Sequence, residues 1–218
     1  MTVTVPDERR HATDLVRRVV GEFVSELQDG YLRDTSAAVG RLAQLRRGAG
    51  KLPQDVPELW GLTGVERLYE ELGERQAERA ETAAFLAVTL FALHQQSRTT
   101  QRMHKPEVGL GAAVRRLMPK DKIDEPIRRR FVRVGTAGTL DAMAYRLREI
   151  VSLLRRESIP LDYAQLAVDL YRAQTPGGLA QVRQRWGRGF HAYRAETDEP
   201  QQPDRTPHGD ASIDKDVT

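Results

Sequence analysis

Residues 77–95 set the architecture of this chain. Phe85, Leu86, Val88, Leu90, Phe91 and Leu93 crowd into that span. At 3.6 residues per turn they cover nearly the whole circumference of a helix. A helix that is apolar all round cannot lie on a surface, because it needs neighbours on every side. Its most apolar part, 84–93, is also far too short to span a membrane. The chain is therefore expected to wrap other helices around this one.

The flanks carry the matching signal. Leu15, Val16, Val19, Val20, Phe23, Val24 and Leu27 recur at three and four. Val39, Leu42 and Leu45 repeat the spacing after Thr35 and Ser36, residue types that cap helix starts. Leu140, Met143, Ala144, Leu147, Ile150, Val151 and Leu154 form one stripe over 139–156, with Arg146, Arg148, Arg155 and Arg156 off it. Short helices are expected at 64–72, 111–118 and 125–134, the last with Pro126 in its first turn and Ile127, Phe131 and Val134 facing the core. Asp162 can cap a helix to about 174, and a final helix to about 193 places Trp186 and Phe190 on one face. His94 should line or cap the end of the central helix. Pro53, Pro57 and Gly61 make 53–62 a turn-rich connector, with Trp60 expected to pack inward. No alternating strand pattern competes.

The expected fold is all-α, with eight to nine helices in two lobes. Residues 1–98 form an N-terminal helical lobe and 99–108 a basic, mobile loop or linker. Residues 109–194 form a C-terminal helical bundle. Residues 195–218 lose their apolar content and carry seven acidic against two basic residues. Such a tail buries too little surface to offset its ordering entropy and is expected to be disordered. With +3 on the whole chain and −5 on the tail, the body carries +8.

Much of that charge is concentrated in residues 98–133, where eleven Arg or Lys face four acidic residues. No catalytic set accompanies it. There is no cysteine, which excludes disulfides and Cys-ligated metals. His11, His94, His104, His191 and His208 have no metal-ligand spacing, and Gly109-Leu110-Gly111 lacks the third glycine and preceding strand of a dinucleotide site. No enzyme activity, metal or cofactor is expected. Clustered cation without chemistry points to a polyanion, nucleic acid first. Aromatics are 6% of the chain, and Trp60 and Trp186 read as core anchors, so backbone electrostatics rather than base stacking should carry the binding. The alternative is a free-standing helical DNA-binding regulator or adaptor. A helix-turn-helix would mark it, yet Pro119 and Pro126 flank the one candidate. No apolar leader opens the chain, and a cytoplasmic location is expected.

A further pattern lies in the order of short segments. They are Gln44-Leu-Arg-Arg-Gly48, Phe85-Leu-Ala-Val-Thr-Leu-Phe-Ala-Leu-His-Gln95 and Gly109-Leu-Gly-Ala-Ala-Val-Arg-Arg-Leu117. Arg129-Arg-Phe-Val-Arg133, Leu147-Arg-Glu-Ile-Val-Ser-Leu-Leu-Arg-Arg156, Ile159-Pro-Leu-Asp-Tyr163 and Arg185-Trp-Gly-Arg188 follow. Over about residues 12–194 this order resembles the small subunit of the type I-E CRISPR Cascade complex, the CasB family. The resemblance implies a two-lobed helical protein without activity. It would pair with a second copy of itself inside a crRNA-guided complex and touch the backbone and large subunits. It would also help hold the target and displaced non-target DNA strands. The resemblance further implies nucleic-acid contacts at Arg46 and Arg47 after the second helix and at Arg98, Arg102 and Lys105 in the interlobe loop. Arg115, Arg129 and Arg133 fall in the central basic helices, and Arg183 stands in for a turn that is less basic here. Arg98, Arg102, Lys105, Arg115, Arg129 and Arg133 are expected on one common surface.

Overall fold

The computed structural model describes residues 5–192. Tyr193, Arg194 and the acidic tail lie outside them. Nine α-helices occupy the described residues: α1 (Val5–Leu32), α2 (Ser36–Leu45), α3 (Glu66–Glu71), α4 (Glu74–Gln95), α5 (Leu110–Arg116), α6 (Glu125–Gly135), α7 (Leu140–Arg156), α8 (Tyr163–Ala173) and α9 (Gly178–Ala192). No strand occurs among them. Three 3₁₀ turns, Arg46–Gly48, Pro53–Asp55 and Pro57–Leu59, fill the connector after α2.

The all-round apolar helix is α4, and it is enclosed as its composition requires. Helices α1, α2, α7 and α8 all pack on it. Ala77, Ala80, Ala83, Ala84 and Ala87 are fully buried and let these neighbours approach closely. Helix α8 seats between α1 and α4, with Tyr163 fully buried and edge-on to Phe91 at 5.4 Å. Farther out, α5 packs on α9 and α6 on α7. Asp124 caps α6 through Ile127 N (3.0 Å), and Asp162 caps α8 through Gln165 N (2.9 Å).

Several sequence expectations need correction. Trp60 does not pack inward and is 64% exposed, with its indole N–H donating to the Pro53 carbonyl at 3.0 Å. Val56 and Leu59 take the inward positions against Phe85, which leaves the next ring facing solvent. Thr35 sits at the start of α2, but its hydroxyl donates back to Gly30 O (3.1 Å) instead of capping. Ala38 rather than Val39 completes the buried face of α2.

The 99–108 segment is a loop, but it is tied down on three sides. Gln28 on α1 accepts from His104 N (2.7 Å) and donates to His104 O (3.2 Å). Gln95 on α4 accepts from Met103 N and donates to Arg98 O and Gln101 O. Leu161 exchanges backbone bonds with Met103 and Lys105, and Asp162 accepts from Glu107 N. Met103, His104 and Val108 are buried. Side-chain amides from α1 and α4 replace the ladder a loop lacks, so the expected mobility does not follow from its polarity.

The same region holds a buried imidazole. His94 Nδ1 lies 2.8 Å from the Tyr163 hydroxyl, and its Nε2 has no hydrogen-bond partner among the described residues. Burial pushes its pKa from 6.5 down to about 3. The unfolded chain therefore binds a proton below about pH 6.5 that the folded chain refuses, and stability falls as pH drops from there toward 3. His104 is shifted the same way by burial. Between pH 7.5 and 5, His94 alone should remove about 2 kcal/mol. Urea unfolding of wild type and His94→Gln at the two pH values checks this. The variant should lose distinctly less on acidification, and an equal loss would show that His94 does not set the slope.

Candidate nucleic-acid interface

The helix connecting the expected basic positions is α7. Its buried stripe leaves Arg148 and Arg155, seven residues apart, on one flank. Arg146 lies about 160° from Arg148, on the other, at 100° per residue. Arg148 Nη1 donates to Ala49 O at 3.2 Å and draws in the 3₁₀ turn that carries Arg46 and Arg47. Arg146 Nη1 donates to Arg133 O at 2.6 Å and holds the end of α6. The six positions expected on one surface are therefore divided. Arg129 and Arg133 lie on α6 beside the Arg146 flank. Arg98 sits on the C-terminal carbonyls of α7, about 14 Å farther along its axis at about 1.5 Å per residue, while Arg102 pairs with Asp29 of α1 and Lys105 lies beside Leu161. Arg115 stands apart, at the end of α5.

Their hydrogen bonds divide them again. Arg98 donates from Nε to Arg155 O (3.1 Å) and from Nη2 to Arg156 O (3.1 Å). It satisfies the last carbonyls of α7, where a cation is also favoured by the helix dipole. Arg115 closes the following turn, with Nη1 on Pro119 O and Nη2 on Lys120 O, both at 2.7 Å. Arg183 donates from Nε to Gly135 O at the end of α6. These three serve the fold. Arg102 pairs with Asp29 at 2.6 Å, but both side chains are exposed, and such a pair contributes only about 0–1 kcal/mol. A phosphate can displace it.

A third group is uncommitted. Arg47, Lys105 and Arg133 are exposed and Arg46 is half-buried, and none of their side chains has a hydrogen bond or ion pair among the described residues. Arg129 makes only a long 3.4 Å contact within its own helix. Arg128 is neutralised by Glu125, whose carboxylate accepts from its Nε and Nη2 and is held below the usual carboxylate range by that bond. The i, i+3 acid thus separates Arg128 from its neighbour Arg129.

One residue was not foreseen. Asp169 is buried in α8 and accepts from Arg185 Nη1, Trp186 Nε1 and Gln165 Nε2, each at 2.8 Å. It anchors α9 and engages Arg185 in an ion pair. Burial raises its pKa against the opposing pull of Arg185. An aspartate 16 residues before an arginine carries no periodic signal. Among the described residues no group of His, Asp and Glu is arranged to hold a metal ion. No helix there is long and apolar enough to cross a membrane.

The sequence of this helical body matches a known family. The model of the CRISPR-associated protein Cse2 matches residues 41–191. The chain belongs to the Cse2 family. The crystal structure of CasB from Thermobifida fusca is 54% identical, superposes with a TM-score of 0.74, and is covered over 97% of its length by 81% of this chain. Among curated proteins none matches. Membership places the chain with the small Cse2/CasB subunit of the type I-E CRISPR Cascade complex.

Proposed function

We propose that this Cse2-family subunit is non-catalytic and stabilises the R-loop of a cytoplasmic, crRNA-guided Cascade complex by holding nucleic-acid backbone. In this reading two copies pair beside the crRNA and contact the backbone and large subunits. The 1–98 and 109–194 parts, joined by the 99–108 loop, act together through α7 and α8 packed on α4. The observation that supports it is the uncommitted set Arg46, Arg47, Lys105, Arg129 and Arg133, with Arg102 released from an exposed pair. Arg98, Arg115 and Arg183 position the helices that present this set. Exchange of a DNA duplex for a guide–target duplex is nearly balanced, so a few phosphate contacts on the target or displaced strand tip it.

Such contacts do not read sequence. With about four to six phosphates engaged, log affinity should fall with log salt at a slope of roughly −4 to −5. A salt titration of the purified chain on oligonucleotides of unrelated sequence measures it. A hundredfold preference for one sequence would favour the free-standing regulator instead.

A further inference from the structure

Scarce aromatics argued against base recognition, but three of them converge at one place. Phe131 of α6 stacks on Phe190 of α9 at 5.7 Å and lies 6.4 Å from Trp186. Beside them opens a cleft of about 220 Å³, lined by Phe131, Val132, Gly135, Arg183, Trp186 and Gly187, with Thr136 at its edge. Apart from Arg183 and the Thr136 hydroxyl, the side chains lining it are apolar, and Val132 is 46% exposed there.

Two features say what fits it. The first is charge. Arg183 forms part of one wall, its Nε fixed on Gly135 O and its two Nη groups without a bond among the described residues. Arg129 and Arg133 project from α6 within a turn of Val132 and Thr136. No acidic residue occurs in 126–140 or 176–192. An apolar slot with a cation in its wall and two more on the neighbouring turns suits the flat face of a ring on an anionic chain. The second is shape. A Cβ at Gly187 would meet nothing within 4 Å, and one at Gly135 only Arg183 Cγ at 3.7 Å. Both glycines thus leave open a space that packing does not require to be empty.

We infer that the α6–α9 cleft receives one unstacked base of the displaced single DNA strand, while Arg129, Arg133 and Arg183 hold the phosphates on either side. This rests on the proposed role in R-loop stabilisation and adds a base-sized site to it. A base that leaves the stack for an apolar pocket cannot readily re-pair with its complement, so the slot opposes R-loop collapse by more than charge.

The test compares a short single-stranded oligodeoxynucleotide with its fully abasic counterpart, on the full chain and on Gly187→Leu. The leucine fills the cleft, keeps every arginine and has a better helix propensity than glycine. Wild type should bind the base-containing strand roughly tenfold more tightly, the scale of one base–aromatic contact. Gly187→Leu should bind both strands at the abasic level with an unchanged salt slope. Equal wild-type affinities for the two strands would overturn the slot while leaving backbone binding intact. A base preference that survives Gly187→Leu would place base recognition outside this cleft and leave the cleft to an apolar side chain of a protein partner. Failure of wild type to bind either strand would overturn both the slot and the proposed function.

Discussion

Gly111→Ala should lower the melting temperature by roughly 6–12 °C, on about 3 kcal/mol of lost stability for a chain of this size. A Cβ on Gly111 would stand 2.0 Å from Trp186 O and 2.7 Å from Phe190 N. Both are backbone atoms of a regular helix, so no side chain can swing away, and α5 must separate from α9. The displacement reaches Trp186, whose indole is held by Asp169. It also reaches Phe190, which stacks on Phe131. Gly189 faces the same crossing, but a Cβ there meets Ala112 N at an ordinary 3.5 Å. Gly189→Ala should therefore stay within about 1 kcal/mol of wild type. Thermal melts of the two variants decide the matter, and equal melts would mean that the close crossing does not carry the C-terminal helices.

Joint neutralisation of Arg46, Arg47, Lys105, Arg129 and Arg133 should remove most of the salt dependence of nucleic-acid binding while leaving the fold intact. Each lost phosphate contact lowers the log–log slope by about one. None of the five side chains serves a helix end or a buried partner, so the stability change per site should stay within about 0.5 kcal/mol. Arg98→Ala and Arg115→Ala should behave oppositely. They strip capping bonds from α7 and from the turn after α5, and each should cost about 1 kcal/mol of stability. Urea unfolding alongside the salt titration separates the two classes. A stable Arg98→Ala chain with a reduced slope would place Arg98 among the strand contacts instead.

The helices were legible because periodicity reports burial directly. The stripe on α7, the all-round apolar α4, the cap at Asp162 and the first-turn Pro126 each depend on neighbours within one turn. The direction of Trp60 is not legible because a proline- and glycine-rich connector has no period, and only the placement of Leu59 against Phe85 decides that the indole turns out. The anchoring of the loop at 99–108 is not legible in the sequence because Gln28 and Leu161 are remote from it and Gln95 carries no pattern that marks it as an anchor. Similar reasons govern the basic residues. Composition and resemblance located the charge, but whether an arginine is free depends on distant carbonyls. Arg98 meets those of Arg155 and Arg156, and Arg183 meets that of Gly135. Exposed cations resemble one another in sequence, and only the fold separates those that hold helices from those left for a partner.

The proposed role is tested most directly by R-loop lifetime in a Cascade complex reconstituted with the five-site neutralised chain. Assembly should be normal and pairing at the start of the target unchanged, because those steps use other surfaces. The open R-loop should be distinctly shorter-lived than with wild type, with the difference shrinking as salt rises and screening weakens the contacts. A wild-type lifetime in a fully assembled complex would contradict the role and reduce these arginines to a solvated face.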